Sequence, residues 1–161
     1  MKLLVLRVSR RDDKRYEPLV EELAGRMKSA WPIAFRSVSP AEGRRDRAEA
    51  QSEEAGRLRT TWEKEKKKAG RGRLVALDER GRAVDTRGVL AELKKGRDAG
   101  LPLLGFVIGG AEGLAPSWRE EADACWSLSG LTLAHEIARL VLVEQLYRAH
   151  CLDVGHPYHR E

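Results

Sequence analysis

The side chains able to do chemistry gather in the last third of the chain. The four histidines are His135, His150, His156 and His159. Two of them sit in the terminal run Gly155-His156-Pro157-Tyr158-His159-Arg160-Glu161, which joins hydrogen-bond donors, a stacking ring and a cation. Most termini are frayed and inert, but this set suits a nucleotide. No Cys or carboxylate stands at metal-ligand spacing from His156 and His159, so no metal site is expected. Ile108-Gly109-Gly110-Ala111-Glu112-Gly113 follows an apolar run. Its glycines permit close backbone approach and positive φ. It is neither G-x-G-x-x-G nor a P-loop, and alone it reads as a tight turn. Ser127 to Leu133 alternates hydroxyls with leucines around Gly130. Such a loop can offer backbone N–H and C=O groups to a base edge while leucines cover the ring; alone it reads as an ordinary strand-to-helix connection. His135 follows directly, either facing a ligand or serving as a polar first-turn residue.

The elements that must position these residues alternate between strand and helix. Lys2 to Val8 reads as a buried strand. Asp12 to Lys28 places Tyr16, Leu19, Val20, Leu23 and Met27 near helical spacing. Ile33 to Val38 is a second strand. Arg44 to Ala69 is almost all charge and predicts a long, mostly exposed helix. Arg73 to Leu77 is a third strand, followed by a charged turn, Asp78 to Arg82, around Gly81. Thr86 to Ala99 is a helix stopped by Gly100, and Leu103 to Ile108 is the most hydrophobic strand. Pro116 marks a helix start. Cys125 to Leu128 is a short fifth strand, and Thr132 stands where it could cap a final helix running to about His150. That helix is apolar around most of its circumference, which requires burial on more than one side; a sheet and a partner subunit would suffice. The pattern predicts an α/β protein with a parallel-rich sheet and helices on both faces, as a single domain over residues 1–161. In such sheets ligands bind beyond the carboxyl ends of the strands. Leu77, Ile108 and Leu128 would converge there if their strands are neighbours.

At 161 residues, 34% charged and 42% hydrophobic, the chain is long enough for a real core and too apolar to be disordered. Its net charge of +5 favours an anionic partner. The run Arg57, Arg59, Lys64, Lys66, Lys67, Lys68, Arg71 and Arg73 is either an RNA-phosphate face or a solvated helix with internal ion pairs. The two cysteines, Cys125 and Cys151, form no framework and read as buried thiols in a reducing compartment. The N-terminal apolar run is too short for a signal peptide, and no run reaches membrane-spanning length. A cytoplasmic protein with no membrane partner is expected.

Taken in order, L-D-E-R-G, I-G-G-x-E-G-L, W-S-L-S-x-L-T-L-x-H, E-Q-L-Y-R-A and H-P-Y-H-R-E resemble the bacterial ribosomal RNA large subunit methyltransferase H family, a small branch of the SPOUT methyltransferases. The resemblance spans the whole chain, and its C-terminal motifs are specific. It implies a C-terminal trefoil knot and a homodimer with a shared active site. It implies S-adenosyl-L-methionine bound by Leu77, Gly109, Gly110, Leu128, Ser129, Gly130, Leu131, Thr132 and Leu133. The reaction implied is methylation of N3 of a pseudouridine in 23S rRNA, on assembled 70S ribosomes. Catalytic roles fall to His135, Tyr158, His159 and Arg160, and RNA contact to Arg148, Arg44 and Arg45. The chain departs from the family pattern at Ala134, where Pro is usual, and at Ala111. The usual Gly/Lys segment survives as Gly43, Arg44, Arg45 and Arg47. Two contrasting readings are a non-enzymatic knotted RNA- or ribosome-binding protein and a tRNA methyltransferase of the same fold.

Overall fold

The computed structural model describes residues 1–10, 14–43 and 46–158. Five strands, β1 (Lys2–Val8), β2 (Ile33–Val38), β3 (Arg73–Ala83), β4 (Leu103–Ile108) and β5 (Ala124–Ser127), form one all-parallel sheet in the order β2-β1-β4-β3-β5. The central strands β1 and β4 are buried on both faces, which is why both read as unbroken apolar runs.

Helices cover both faces. α1 (Glu17–Arg26), α3 (Thr86–Asp98) and α5 (His135–Val154) lie on one, where Val20, Val89, Leu93, Leu142, Val143 and Leu146 meet Leu3, Val5, Val75 and Phe106. α2 (Arg47–Ala69) and α4 (Ser117–Glu121) cover the other, where Ala55, Leu58, Trp62 and Trp118 meet Leu4, Leu6, Ala76 and Val107. Alternate residues of β1 thus face opposite layers, as the two-residue period of a strand requires.

Four local expectations are corrected. α2 is not mostly exposed: Ala55, Leu58 and Trp62 recur at helical spacing and are buried. So few apolar residues suffice because the Trp62 ring, beside Leu74, fills the space above Gly105, where a Cβ would come within 2.6 Å of the ring. The charged turn after Leu77 is instead a continuation of β3. A bulge between Leu77 and Arg82 lets Arg82 and Ala83 pair again with Trp126 and Ser127. Gly81 is required there, since a Cβ would stand 2.6 Å from the Trp126 backbone. Thr132 does not cap α5. The capping position is Ala134 with no side-chain hydrogen bond, and Thr132 Oγ1 instead donates to Glu79 Oε2 at 3.1 Å. Finally, only Cys151 is fully buried. Cys125 is half-buried, and its thiol pKa is raised by burial and further by nearby Asp78.

α5 packs between α1 and α3, so neighbours within the chain cover both flanks of its broad apolar surface. Gly155, at φ 68°, ends it in the left-handed conformation. Near that end Asp153 receives hydrogen bonds or ion pairs from Lys94 (3.1 Å) and Arg97 (2.7 Å) of α3. Burial pushes the Asp153 pKa up, but the two cations outweigh it and hold the carboxyl below its ordinary value. No helix among the described residues is long and apolar enough to cross a membrane.

Trp62→Ala should lower unfolding free energy by about 3–5 kcal/mol in urea denaturation, because it empties the layer between α2 and the sheet. Asp153 has a depressed folded-state pKa, so its contribution is present above the ordinary carboxylate range and fades as pH falls through the folded value. Asp153→Asn should therefore flatten the loss of stability as pH falls below about 5, read as Tm against pH.

Candidate functional site

The carboxyl ends of β4, β3 and β5 lie side by side. Leu77 pairs with Ile108 on one side and with Trp126 on the other. The three loops leaving these ends enclose a cavity of about 430 Å³, lined by Leu77, Ile108, Gly109, Gly110, Leu128, Ser129, Leu131, Thr132, Leu133 and His135 among others. The expected convergence is therefore real. Of the residues named from sequence as cofactor-binding, only Gly130 is absent from the lining; it is exposed at the loop crest with open space around it.

The glycine loop is a tight turn and a cavity wall at once. Gly113 N–H donates to Gly110 O at 3.1 Å, and Gly113 adopts φ 80°. A Cβ on Gly109 would lie 2.5 Å from Leu114 N, so only glycine lets the two arms of the loop touch. From beneath, α2 braces it. Gln51 Nε2 donates to Glu112 O (2.7 Å) and Leu114 O (3.2 Å), and Arg47 Nη2 donates to Glu112 O (3.1 Å).

The serine loop is held by its own hydroxyls. Ser127 Oγ donates to Ser129 O at 2.8 Å, and Ser129 Oγ accepts from Leu131 N–H at 2.9 Å. This turn throws the Leu131 side chain outward, 75% exposed, at the cavity mouth. The Thr132–Glu79 bond ties the loop to the β3 bulge, and Arg119 Nη1 anchors that bulge through Asp78 at 3.3 Å. Asp78, Glu79, Arg119, Arg47 and Gln51 all line the cavity, and none was assigned to it from sequence, although Asp78 and Glu79 belong to the L-D-E-R-G motif and Arg47 to the basic segment after Gly43. The signal existed for the last two: Arg47 and Gln51 stand four apart on one face of α2.

His135 is the first residue of α5 and also lines the cavity, so its place in the fold is compatible with both alternatives. Its Nε2 lies 3.7 Å from Glu136 Oε1. Glu136 faces away, into a buried ion network that sequence reasoning missed, with Arg7 of β1 and Arg139, which in turn pairs with Glu17 of α1. These four charges fix the first turn of α5 on the sheet.

Tyr158 is not near this cavity in its own chain. Its ring packs 4.8 Å from that of Tyr147, and the Arg148 guanidinium lies 5.4 Å from its centroid. Arg148 is itself held by Glu144 at 2.9 and 2.6 Å, a bond that raises its pKa. Tyr158 and His135 thus occupy opposite ends of α5, separated by roughly 20 residues at about 1.5 Å each. His159, Arg160, Arg44 and Arg45 lie outside the described residues. Among the described residues, no group of three His, Cys, Asp or Glu side chains could hold a metal ion.

The basic run divides. Arg57 donates to Ser39 O and Pro40 O, Arg59 forms a forked pair with Glu121, Arg71 caps the end of α3 at Ala99 O and Gly100 O, and Arg73 pairs with Glu92. These arginines are structural. Lys64, Lys67 and Lys68 remain solvent-exposed at the end of α2.

Comparison with known proteins follows this geometry. A family model described as "Predicted SPOUT methyltransferase" matches residues 1–159. Two relatives named ribosomal RNA large subunit methyltransferase H align end to end. That of Geobacter metallireducens is 38% identical over 159 residues, covering 99% of each chain. That of Rhodopseudomonas palustris is 37% identical over 165 residues, again 99% of each. A third, from Polynucleobacter necessarius, is 52% identical over 89 residues, 55% of this chain and 65% of that protein. A crystal structure from Bacillus anthracis, described as a candidate RNA methyltransferase, superposes with a TM-score of 0.52 at 15% identity, covering 98% of this chain and 96% of that one; it shows the shared fold.

Gly109→Ala should open the glycine loop at a cost of about 1–3 kcal/mol through forced overpacking. Hydrogen exchange at Gly113 and Leu114 should rise sharply while the amides of β1 stay protected.

Proposed function

The chain belongs to the SPOUT methyltransferase family, in the branch of the ribosomal RNA large subunit methyltransferases H, and from that premise we propose that it methylates N3 of a pseudouridine in 23S rRNA on assembled 70S ribosomes. The observation that carries this reading is the cavity where three strand-end loops meet. S-adenosyl-L-methionine fits the residues present. The volume suits a ligand of that size, Leu77, Leu131 and Leu133 offer apolar cover for a base ring, and the glycine pair leaves backbone groups approachable. Leu77, Gly109, Gly110 and the Leu128–Leu133 loop would hold it. The bound cofactor supplies a methyl carbon already made electrophilic by its sulfonium.

What remains for the protein is alignment, exclusion of water and a proton. A uracil-type N3 must lose its proton before or during attack, so a base or a stabilised O2/O4 anion is needed. His135 at the cavity, or His159 in the tail, takes that proton. Arg160 balances charge on the base or phosphate, and Tyr158 stacks on the base. Because Tyr158 and His135 lie at opposite ends of α5, one chain does not assemble this set. A homodimer in which the tail of one copy reaches the cavity of the other resolves the separation. The trefoil knot belongs to the same reading, as does a single domain in the cytoplasm.

RNA affinity would come from Arg44, Arg45 and the exposed lysines of α2, with Arg148 acting through its stacking on Tyr158. Binding should fall steeply with salt. The decisive test is to incubate the protein with radiolabelled S-adenosylmethionine and 70S ribosomes lacking the modification, then map the label. A methyl group on a 23S pseudouridine is expected. Tyr158→Ala should then cut kcat/KM by at least about tenfold, a loss of roughly 1.4 kcal/mol in transition-state binding. Cofactor binding with label on tRNA, or with no label at all, would overturn the assignment.

A further inference from the structure

Beneath the glycine loop lies a carboxylate that the proposed reaction does not use. Glu54 sits in the N-terminal half of α2 and is 6% exposed. Its Oε1 accepts the Ala41 N–H at 3.0 Å. Its Oε2 is buried with no hydrogen-bond partner among the described residues. That oxygen packs against Gly110: a Cβ built there would lie 2.9 Å from it. Gly110 lines the cavity, so the carboxylate is separated from the cavity by the thickness of one glycine.

A buried carboxylate with one unmet oxygen is a poor way to hold a helix against a loop. Burying a charge costs free energy unless it is fully paired. Apolar residues or the Gln51 amide brace the loop without that cost. A negative charge fixed in a low-dielectric wall does one thing that an amide cannot, which is to attract a cation on the other side of the wall. S-adenosylmethionine is a sulfonium cation, and after transfer it becomes a neutral thioether at the same sulfur. Gly110, having no side chain, keeps the carboxylate close.

We propose that Glu54 is a positioning and specificity residue beneath the glycine loop, whose buried charge favours the cationic methyl donor over its neutral product. The inference rests on the reading of the cavity as the S-adenosylmethionine site. Glu54 also holds Ala41, two residues ahead of Gly43, while touching the loop that lines the cavity.

The test is calorimetric binding of S-adenosylmethionine and S-adenosylhomocysteine to the intact protein, its Glu54→Gln variant and its Glu54→Asp variant, with Tm measured for each. Glutamine keeps the shape and the acceptor for Ala41 N–H and removes the charge. The expected result is a Tm equal to or above wild type, roughly tenfold weaker binding of the donor, and homocysteine-product binding changed less than about threefold. Glu54→Asp, which retains the charge, should keep most of the preference for the donor. Equal losses for both ligands, no loss for either, or failure of both variants to fold would each overturn the proposal, the last by showing a purely structural role. Failure of the wild-type protein to bind the donor at all would instead overturn the cofactor reading beneath it.

Discussion

The register of three parallel strands governs this molecule. Leu77 is in line with Ile108 on one side and Trp126 on the other. Parallel pairing sends β4, β3 and β5 off the sheet at the same edge, so the loops that follow them must meet there. Every feature of the cavity depends on that coincidence. A one-residue slip would turn the apolar set of a strand to the wrong face. Register is therefore pinned by burial in both layers, and the site inherits the precision of the core.

The basic surface illustrates how misleading a charge tally is without positions. Arg57, Arg59, Arg71 and Arg73 are spent on carbonyls and carboxylates of the chain itself. Arg57 and Arg59 fasten α2 to the segment before it and to α4, while Arg71, just beyond α2, and Arg73 of β3 hold the end and the middle of α3. The forked guanidinium suits this work better than an ammonium. Of the same run, Lys64 and Lys67 at the end of α2 remain solvent-exposed, while Lys66 and Lys68 lie against Glu63 and Glu65 of the same helix. On its inner side the same helix carries Arg47, Gln51 and Glu54 under the glycine loop, so one element joins an exposed basic surface to the cavity wall.

α5 spans the other axis of the problem. Its first turn presents His135 to the cavity, and the Arg7–Glu136–Arg139–Glu17 network fixes that turn from behind. Buried ion pairs of this kind add little net stability but penalise any other placement. Its last turns carry Arg148 and Tyr147, which hold Tyr158 against the helix. A rigid rod thus separates the two halves of the expected catalytic set.

The sequence by itself determined the elements and their kind. The apolar runs of β1 and β4, the period of α1 and α3, and the glycine stop at Gly100 are local properties, fixed by backbone sterics and hydrophobic pattern. It also determined the family, because the glycine loop, the serine loop and the tail occur in a specific order. Tertiary structure alone decided the rest, because the deciding partners are far apart in the chain. Trp62 could not be seen to fill the space over Gly105, nor Gly81 to lie on the backbone of Trp126, before the strands were in place. Thr132 looked like a helix cap until the β3 bulge brought Glu79 to it. Arg57 to Arg73 read equally as an RNA-phosphate face or a solvated helix with internal ion pairs until their carboxylate and carbonyl partners were known. A charge or a hydroxyl has several satisfactory local partners, and only the packed chain chooses among them.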